Sequence, residues 1–168
     1  MVAADGDSQA TVLEADAFAG VLPRGARLIG IDLGTKTLGL ALSDVNRSIA
    51  SGLTTLSRTR FAADAGKLLA LAAEHGVGGF VLGLPFNLDG SQGPRVQATR
   101  AFARNLGKLT PLPILLWDER LTTREAQRAL HSAGKNAKQS KKMIDQVAAQ
   151  ILLQNYLDSL QWAGLSNA

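Results

Sequence analysis

From Arg27 onward, short apolar runs alternate with stretches of helical period. RLIGIDLG (27–34) reads as a buried strand and 34–36 as a tight turn; TLGLALSD (37–44), with Leu38, Leu40 and Leu42 on one face, reads as its half-buried antiparallel partner. Residues 50–56 supply a third strand, after which Phe61, Leu68, Leu69 and Leu71, set among alanines, mark a helix stopped by Gly76. GGFVLGLPFNLDG (78–90) is an apolar strand that breaks at Pro85 into a polar loop, and helical spacing returns over 92–107 through Val96, Ala101, Phe102 and Leu106. PLPILLWDER (111–120) gives a fifth strand with acids at its carboxyl end. Thr122 and Glu125 form a capping box that opens a helix closed by Gly134, with Leu121 stapled onto Ala126. A last helix begins near Ser140 and carries Met143, Ile144, Val147, Ala148, Ile151 and Leu152 as a wide core-facing stripe. The order βββαβαβα, without repeat or internal linker, predicts an α/β fold in which helices flank a five-stranded mixed sheet.

Length fits this expectation, since 168 residues suit one core of ordinary size. We expect residues 1–24 to be a flexible acidic extension ending near Pro23, 25–163 to be the single domain, and 164–168 a tail. No apolar stretch approaches the ~20 residues a membrane span needs. The first 22 residues hold four acids (Asp5, Asp7, Glu14, Asp16) and no Lys or Arg, unlike a secretory leader. Cysteine is absent, which excludes disulfides and thiolate zinc sites and fits a reducing, cytoplasmic setting. Setting that acidic segment aside leaves all 18 Lys and Arg against ten of the 14 acids, so the body carries +8 rather than the overall +4. Concentrated basicity of this kind favours a polyanionic partner.

Three acids fall where this topology lets them meet: Asp32 inside an apolar strand, Glu119 (or its neighbour Asp118) at the end of the last strand, and Asp145 on the final helix. Asp145 lies about 100° round the helix from Ile144, at the edge of the apolar stripe. In α/β sheets, sites gather outside strand ends where connections reverse. Converging carboxylates are stable at neutral pH only when some protonate or a divalent cation neutralises them. Magnesium suits such oxygen donors, and two ions roughly 3.5–4 Å apart can activate water and stabilise the leaving oxygen of a phosphodiester. Plainer roles compete: Asp118 capping a turn, Glu119 pairing with Arg120 or Arg124, and Asp145 pairing with Lys141.

Taken together, GIDLGTKTLGLALSD, GLPFNLDGSQGPRVQ, LLWDERLTTREAQRAL and KKMIDQVAAQILLQNYLD closely resemble the YqgF family, also called RuvX, over residues 27–160. The resemblance implies a ribonuclease H-like fold related to RuvC Holliday-junction resolvases. It also implies a cytoplasmic, metal-dependent nuclease, a hydrolase that matures the 5′ end of the pre-16S ribosomal RNA using Mg2+ or Mn2+. By that resemblance Asp32, Glu119 and Asp145 are the catalytic metal ligands, with Asp118 the alternative to Glu119, since adjacent strand residues face opposite sides. The strand ending GLP (83–85) lacks an acid where a RuvC-like enzyme would have a second-strand ligand, which weakens transfer of resolvase activity and shifts that role to the DER strand.

Substrate contacts are expected from Gly34, Thr35 and Lys36, through backbone N–H groups and an ammonium, and from the Asn87-to-Arg95 loop. Between Arg120 and Lys142 stand seven basic residues, Arg124, Lys141 and Lys142 among them, against the single acid Glu125; this run is the expected nucleic-acid face. His75 and His131 are isolated, and Trp117 is expected to pack in the core. The expected partner is RNA, pre-16S rRNA or the small-subunit precursor, bound by a monomer or weak homodimer. Two other readings stand: a junction-resolving DNA endonuclease and a non-catalytic RNA-binding, ribosome-associated factor. An actin-like or sugar-kinase phosphate hairpin would need two such domains, and no GxxxxGK[ST] loop occurs.

Overall fold

A computed structural model describes residues 12–86, 89–119 and 141–162, the side chains of Lys141, Lys142 and Trp162 excepted. Its elements run β1 (Val12–Leu13), α1 (Ala15–Val21), β2 (Arg27–Leu33), β3 (Thr37–Ser43), β4 (Ala50–Ser57), α2 (Phe61–Glu74), β5 (Val77–Leu84), α3 (Pro94–Gly107), β6 (Ile114–Asp118) and α4 (Lys141–Trp162). Six strands form one mixed sheet in the order β1-β6-β5-β2-β3-β4. The β2–β3 and β3–β4 pairs are antiparallel, and β5 lies parallel to β2, β6 to β5 and β1 to β6. The helix expected from Thr122 lies outside the described residues.

Strand alternation sorts the core onto two faces. Odd residues of β2, Ile29, Ile31 and Leu33, join Leu38, Leu40, Phe80, Leu82 and Ile114 beneath Leu68 of α2 and Phe102 and Leu106 of α3. Even residues point the other way: Leu28, Ala41, Val81 and Leu115 pack with Ala149, Leu153, Tyr156 and Leu157 of α4. The partner strand β3, expected to be half-buried, is buried on both faces. Its second face carries only small residues, Thr37, Gly39, Ala41 and Ser43, and that smallness admits α4. A Cβ on Gly30 would stand 2.7 Å from Leu153 Cβ, and one on Gly39 would collide with the backbone carbonyl of Asp145. Helix and sheet backbones therefore meet across glycine.

This close approach also sets the rotation of α4. Its buried line is Ala149, Leu152, Leu153, Tyr156, Leu157 and Leu160, while Met143, expected in the core stripe, is 49% exposed. Ile144, Val147, Ala148 and Ile151 are half-buried. Asp145, one turn before Ala149, consequently lies on the sheet-facing line rather than at the stripe's edge.

Among the described residues the sheet has six strands, not the five expected, and the difference comes from the acidic segment. Val12 and Leu13 pair with Ile114 and Leu115, and α1 drives Phe18, fully buried, against Tyr156 at a centroid distance of 5.7 Å. Gly79 leaves room for it, since a Cβ there would lie 2.9 Å from the Phe18 ring. Arg47, itself buried, then ties the segment down by donating to Pro23 O and Ala26 O at 3.0 and 2.8 Å. Residues 12–24 are thus part of the packed structure and not an extension. Four acids on one short stretch masked the apolar members, Val12, Leu13 and Phe18, that dock it. We expect Phe18→Ala to cost about 3–5 kcal/mol in denaturant unfolding, the range for emptying a fully buried aromatic site; a loss below about 1 kcal/mol would mean that α1 is only loosely docked.

Candidate functional site

The acids gather where the parallel strands end. Asp32, next to last in β2, is paired across the ladder with Gly39, and its place in the alternation turns it toward α4. The carbonyl of Asp145 lies over Gly39, so α4 carries Asp145 to the same place. Thr37, 7% exposed, donates its hydroxyl to Asp145 Oδ2. This threonine was not among the residues singled out by sequence, where its neighbours Thr35 and Lys36 looked better placed in the turn. The alternation in β3, which puts Thr37 on the side of Gly39, is the signal that would have found it.

Glu119 follows β6 directly and belongs, with Leu115 and Trp117, to the α4 side; Asp118 continues the line of Ile114 and Leu116 on the opposite side. The neighbouring strand explains how Glu119 fits. Its Cδ lies 3.0 Å from where a Cβ of Gly83 would stand, so the glycine of the acid-free GLP strand is the space that the glutamate occupies. Trp117 packs edge-on to Tyr156 at 5.3 Å behind it, as expected of a core residue.

Electrostatics tie these groups together, with Asp32 at the centre. Burial, then the charges of Glu119 and Asp145, raise its pKa to about 7, while Arg95 opposes the rise. Glu119 is raised too, chiefly by burial and further by Asp118, again against Arg95. Arg95, exposed in the first turn of α3, donates to Leu33 O at 3.3 Å and so stands beside the strand that bears Asp32. Among the described residues, no three His, Cys, Asp or Glu side chains are gathered closely enough to form a ready metal cage. The donor chemistry of Asp32, Glu119 and Asp145 nevertheless fits a hard divalent cation: three carboxylates, two of them shifted toward the neutral form, chiefly by burial and then by acidic neighbours.

Of the expected substrate contacts, Gly34, Thr35 and Lys36 form the β2–β3 turn beside Asp32, with Thr35 and Lys36 exposed, and Gly34 N–H donates to Thr37 O at 2.9 Å. Asn87, Arg120 and Arg124 lie outside the described residues, as do the side chains of Lys141 and Lys142. His75 ends α2, its backbone N–H donating to Leu71 O; His131 is not described.

A mixed sheet of this order, with helices on both faces and acids at the ends of β2 and β6, has the ribonuclease H-like architecture of RuvC. RuvC of Thermus thermophilus in complex with a Holliday junction substrate aligns over 80% of this chain and 96% of its own at a TM-score of 0.53, with 14% identity; a second Thermus thermophilus RuvC structure gives the same TM-score at 13% identity, over 79% of this chain and 96% of its own. The sequence model of the RuvX family, described as Holliday junction resolvase, matches residues 26–159, and the chain belongs to that family. A Cereibacter sphaeroides relative is 55% identical over 147 residues, 88% of this chain and 92% of its own. One from Paracoccus denitrificans is 54% identical over 149 residues, 89% and 94% of the two chains. Each bears the name "Putative pre-16S rRNA nuclease".

Two predictions test the electrostatics. A carboxyl whose folded pKa lies above its ordinary 3.8 favours the folded state at low pH and loses that contribution as pH rises through about 7. Metal-free protein should therefore lose stability from about pH 4 to 8, and Asp32→Asn should flatten the profile and gain up to about 4 kcal/mol at pH 8. A variant profile parallel to wild type would contradict it. Thr37→Val, which withdraws the donor from Asp145, should cost about 1–3 kcal/mol in the same assay, with Thr37→Ser restoring most of it.

Proposed function

We infer that this protein is a metal-dependent nuclease that hydrolyses phosphodiester bonds in RNA, acting in 5′-end maturation of pre-16S rRNA in the cytoplasm. The observation that carries the reading is the buried carboxyl of Asp32, whose pKa burial raises and the nearby charges of Glu119 and Asp145 raise further. Asp32, Glu119 and Asp145 would hold the ions, Mg2+ or Mn2+. When bound, such ions offset the carboxylate repulsion, acidify a water and stabilise the charge that develops on the phosphate and its leaving oxygen. The protein's part is positional. Thr37 fixes the Asp145 carboxylate, Gly83 makes room for Glu119, and Arg95 supplies a cation beside the acids. The exposed Thr35 and Lys36 of the 34–36 turn stand next to the strand that bears Asp32, where they would meet the backbone of a bound strand rather than the phosphate held at the acids.

The names of the Cereibacter and Paracoccus relatives support pre-16S rRNA as the substrate. The family's description and the fold shared with RuvC favour a junction-cutting DNA enzyme as the second reading; a four-way junction would require a dimer to cut symmetrically. Among the described residues no helix is long and apolar enough to cross a membrane, which agrees with action on ribosomal RNA.

Cleavage of a labelled pre-16S 5′ fragment and of a synthetic four-way DNA junction should be measured with Mg2+, with Mn2+ and with chelator. We expect RNA cleavage that chelator stops and that falls to background in Asp32→Asn, Glu119→Gln and Asp145→Asn, while Asp118→Asn, on the other side of the sheet, stays active. Cleavage that survives Asp32→Asn would refute this site, and junction cutting without RNA cutting would select the second reading.

A further inference from the structure

Two guanidinium groups reach the main chain directly after Asp32, and they come from different elements. Arg95, in the first turn of α3, donates through Nη2 to Leu33 O. Arg58, where the chain leaves β4, donates through Nη1 to the next carbonyl, Gly34 O, at 2.7 Å. Arg58 is also held by its backbone, whose N–H donates to Lys36 O at 2.8 Å, extending the β3–β4 ladder one step past the Thr37 and Ser57 pair. Residues opposite one another in an antiparallel ladder point to the same side. Lys36 and Arg58 therefore share a side, opposite to that of Thr37, whose hydroxyl meets Asp145. Acids and cations are thus divided at the strand ends, with Asp32, Glu119 and Asp145 toward α4 and Arg58 and Lys36 turned the other way, while Arg95 meets the chain between them at Leu33 O.

All three cations are exposed. A guanidinium has five N–H donors, and the hydrogen bond from Arg58 to Gly34 O occupies one, so most of its fork is turned to solvent. The nearest acid in sequence does not neutralise it: Asp64, 3% exposed, is occupied by the backbone N–H and the hydroxyl of Thr59 at 3.0 and 2.9 Å. Two anchored guanidiniums and an ammonium along one rim suit the oxygens of a phosphate backbone, which a planar fork can grip in bidentate fashion.

Resting on the reading of this protein as an RNA nuclease, we propose that Arg58, with Arg95 and Lys36, forms a phosphate-binding rail that holds the substrate strand on the α2–α3 side of the acids. In sequence the rail is distinct from the basic 120–142 run. Arg58 has two tasks, latching β4 to the turn that follows Asp32 and presenting a charge to the strand that crosses it.

The test uses full-length protein in chelator, a fluorescein-labelled single-stranded oligoribonucleotide and anisotropy across a KCl series. Arg58→Gln keeps an amide donor for Gly34 O and removes the charge. It should weaken binding and lower the slope of log affinity against log salt by about 0.7, the share of one phosphate contact on a single strand. Arg58→Lys should retain the wild-type slope, and Arg104→Gln, at the far end of α3, should leave slope and affinity unchanged. A lower melting temperature in Arg58→Gln with an unaltered slope would reduce Arg58 to its latch and overturn the rail. An equal loss in Arg104→Gln would trace the effect to general charge and overturn it as well. Wild-type protein that ignores the oligonucleotide would refute the RNA reading itself, and the rail with it.

Discussion

A carboxylate set near the end of a buried strand, with two others close by, is the constraint around which the structure is built. Removing charge from water is costly, and like charges add to the cost; at Asp32 both effects raise the pKa to about 7. Ordinary core packing would remove such a group. Here the surroundings compensate in part, with Arg95 reaching the strand from α3 and the Thr37 hydroxyl fixing the neighbouring Asp145. What remains is a concentration of negative charge suited to a hard cation, and local rules are most often broken at sites of function.

The same helix that completes the site also completes the core. α4 supplies Leu153, Tyr156 and Leu157 to one face of the sheet and brings Asp145 over Gly39. Because its backbone rests against glycines, its height above the sheet has little freedom: a methyl group at Gly30 or Gly39 would force it outward. Site geometry and fold stability are therefore coupled through one packing distance. The far end of α4 is braced by the acidic N-terminal segment, where Phe18 packs against Tyr156 and Tyr156 against Trp117, two residues before Glu119. That row of rings links the edge of the sheet to one of the three acids.

Much of this was legible in the sequence because it depends on period. The strands and helices from Arg27 to Gly107 lie close to where alternation and helical spacing put them, and the order of elements with the motif segments placed Asp32, Glu119 and Asp145 on strand ends and a helix that converge. What periodicity missed depends on contacts between distant segments. The two-residue β1 is too short to alternate, and Phe18 reads as a lone aromatic among acids until Gly79 is seen to leave room for its ring. The phase of α4 was misjudged because its apolar stripe is wide, and only the glycines opposite select which part lies deepest. The acid-free GLP strand looked like a gap in the site, yet a glycine in a central strand marks close approach, and here the approaching group is Glu119 itself.

The division of charge across the strand ends follows from the same period of two. Within β3, Thr37 and Gly39 face α4 and the residue between them faces the other way, so Lys36 cannot join the acids however close it lies in sequence. Arg58 inherits the side of Lys36 through the ladder, and Arg95 reaches from α3 to Leu33 O, at the boundary between the two sides. Acids on one side and cations on the other leave the strand ends themselves, at Leu33 and Gly34, as the line between opposite potentials. A polyanion drawn to the cations and repelled by the bare acids would come to rest along that line, and only neutralisation of Asp32, Glu119 and Asp145 would let a phosphate cross it. On the proposed reading, binding and hydrolysis would then be separable steps, the first drawing on Arg58, Arg95 and Lys36 and the second on a cation among the carboxylates.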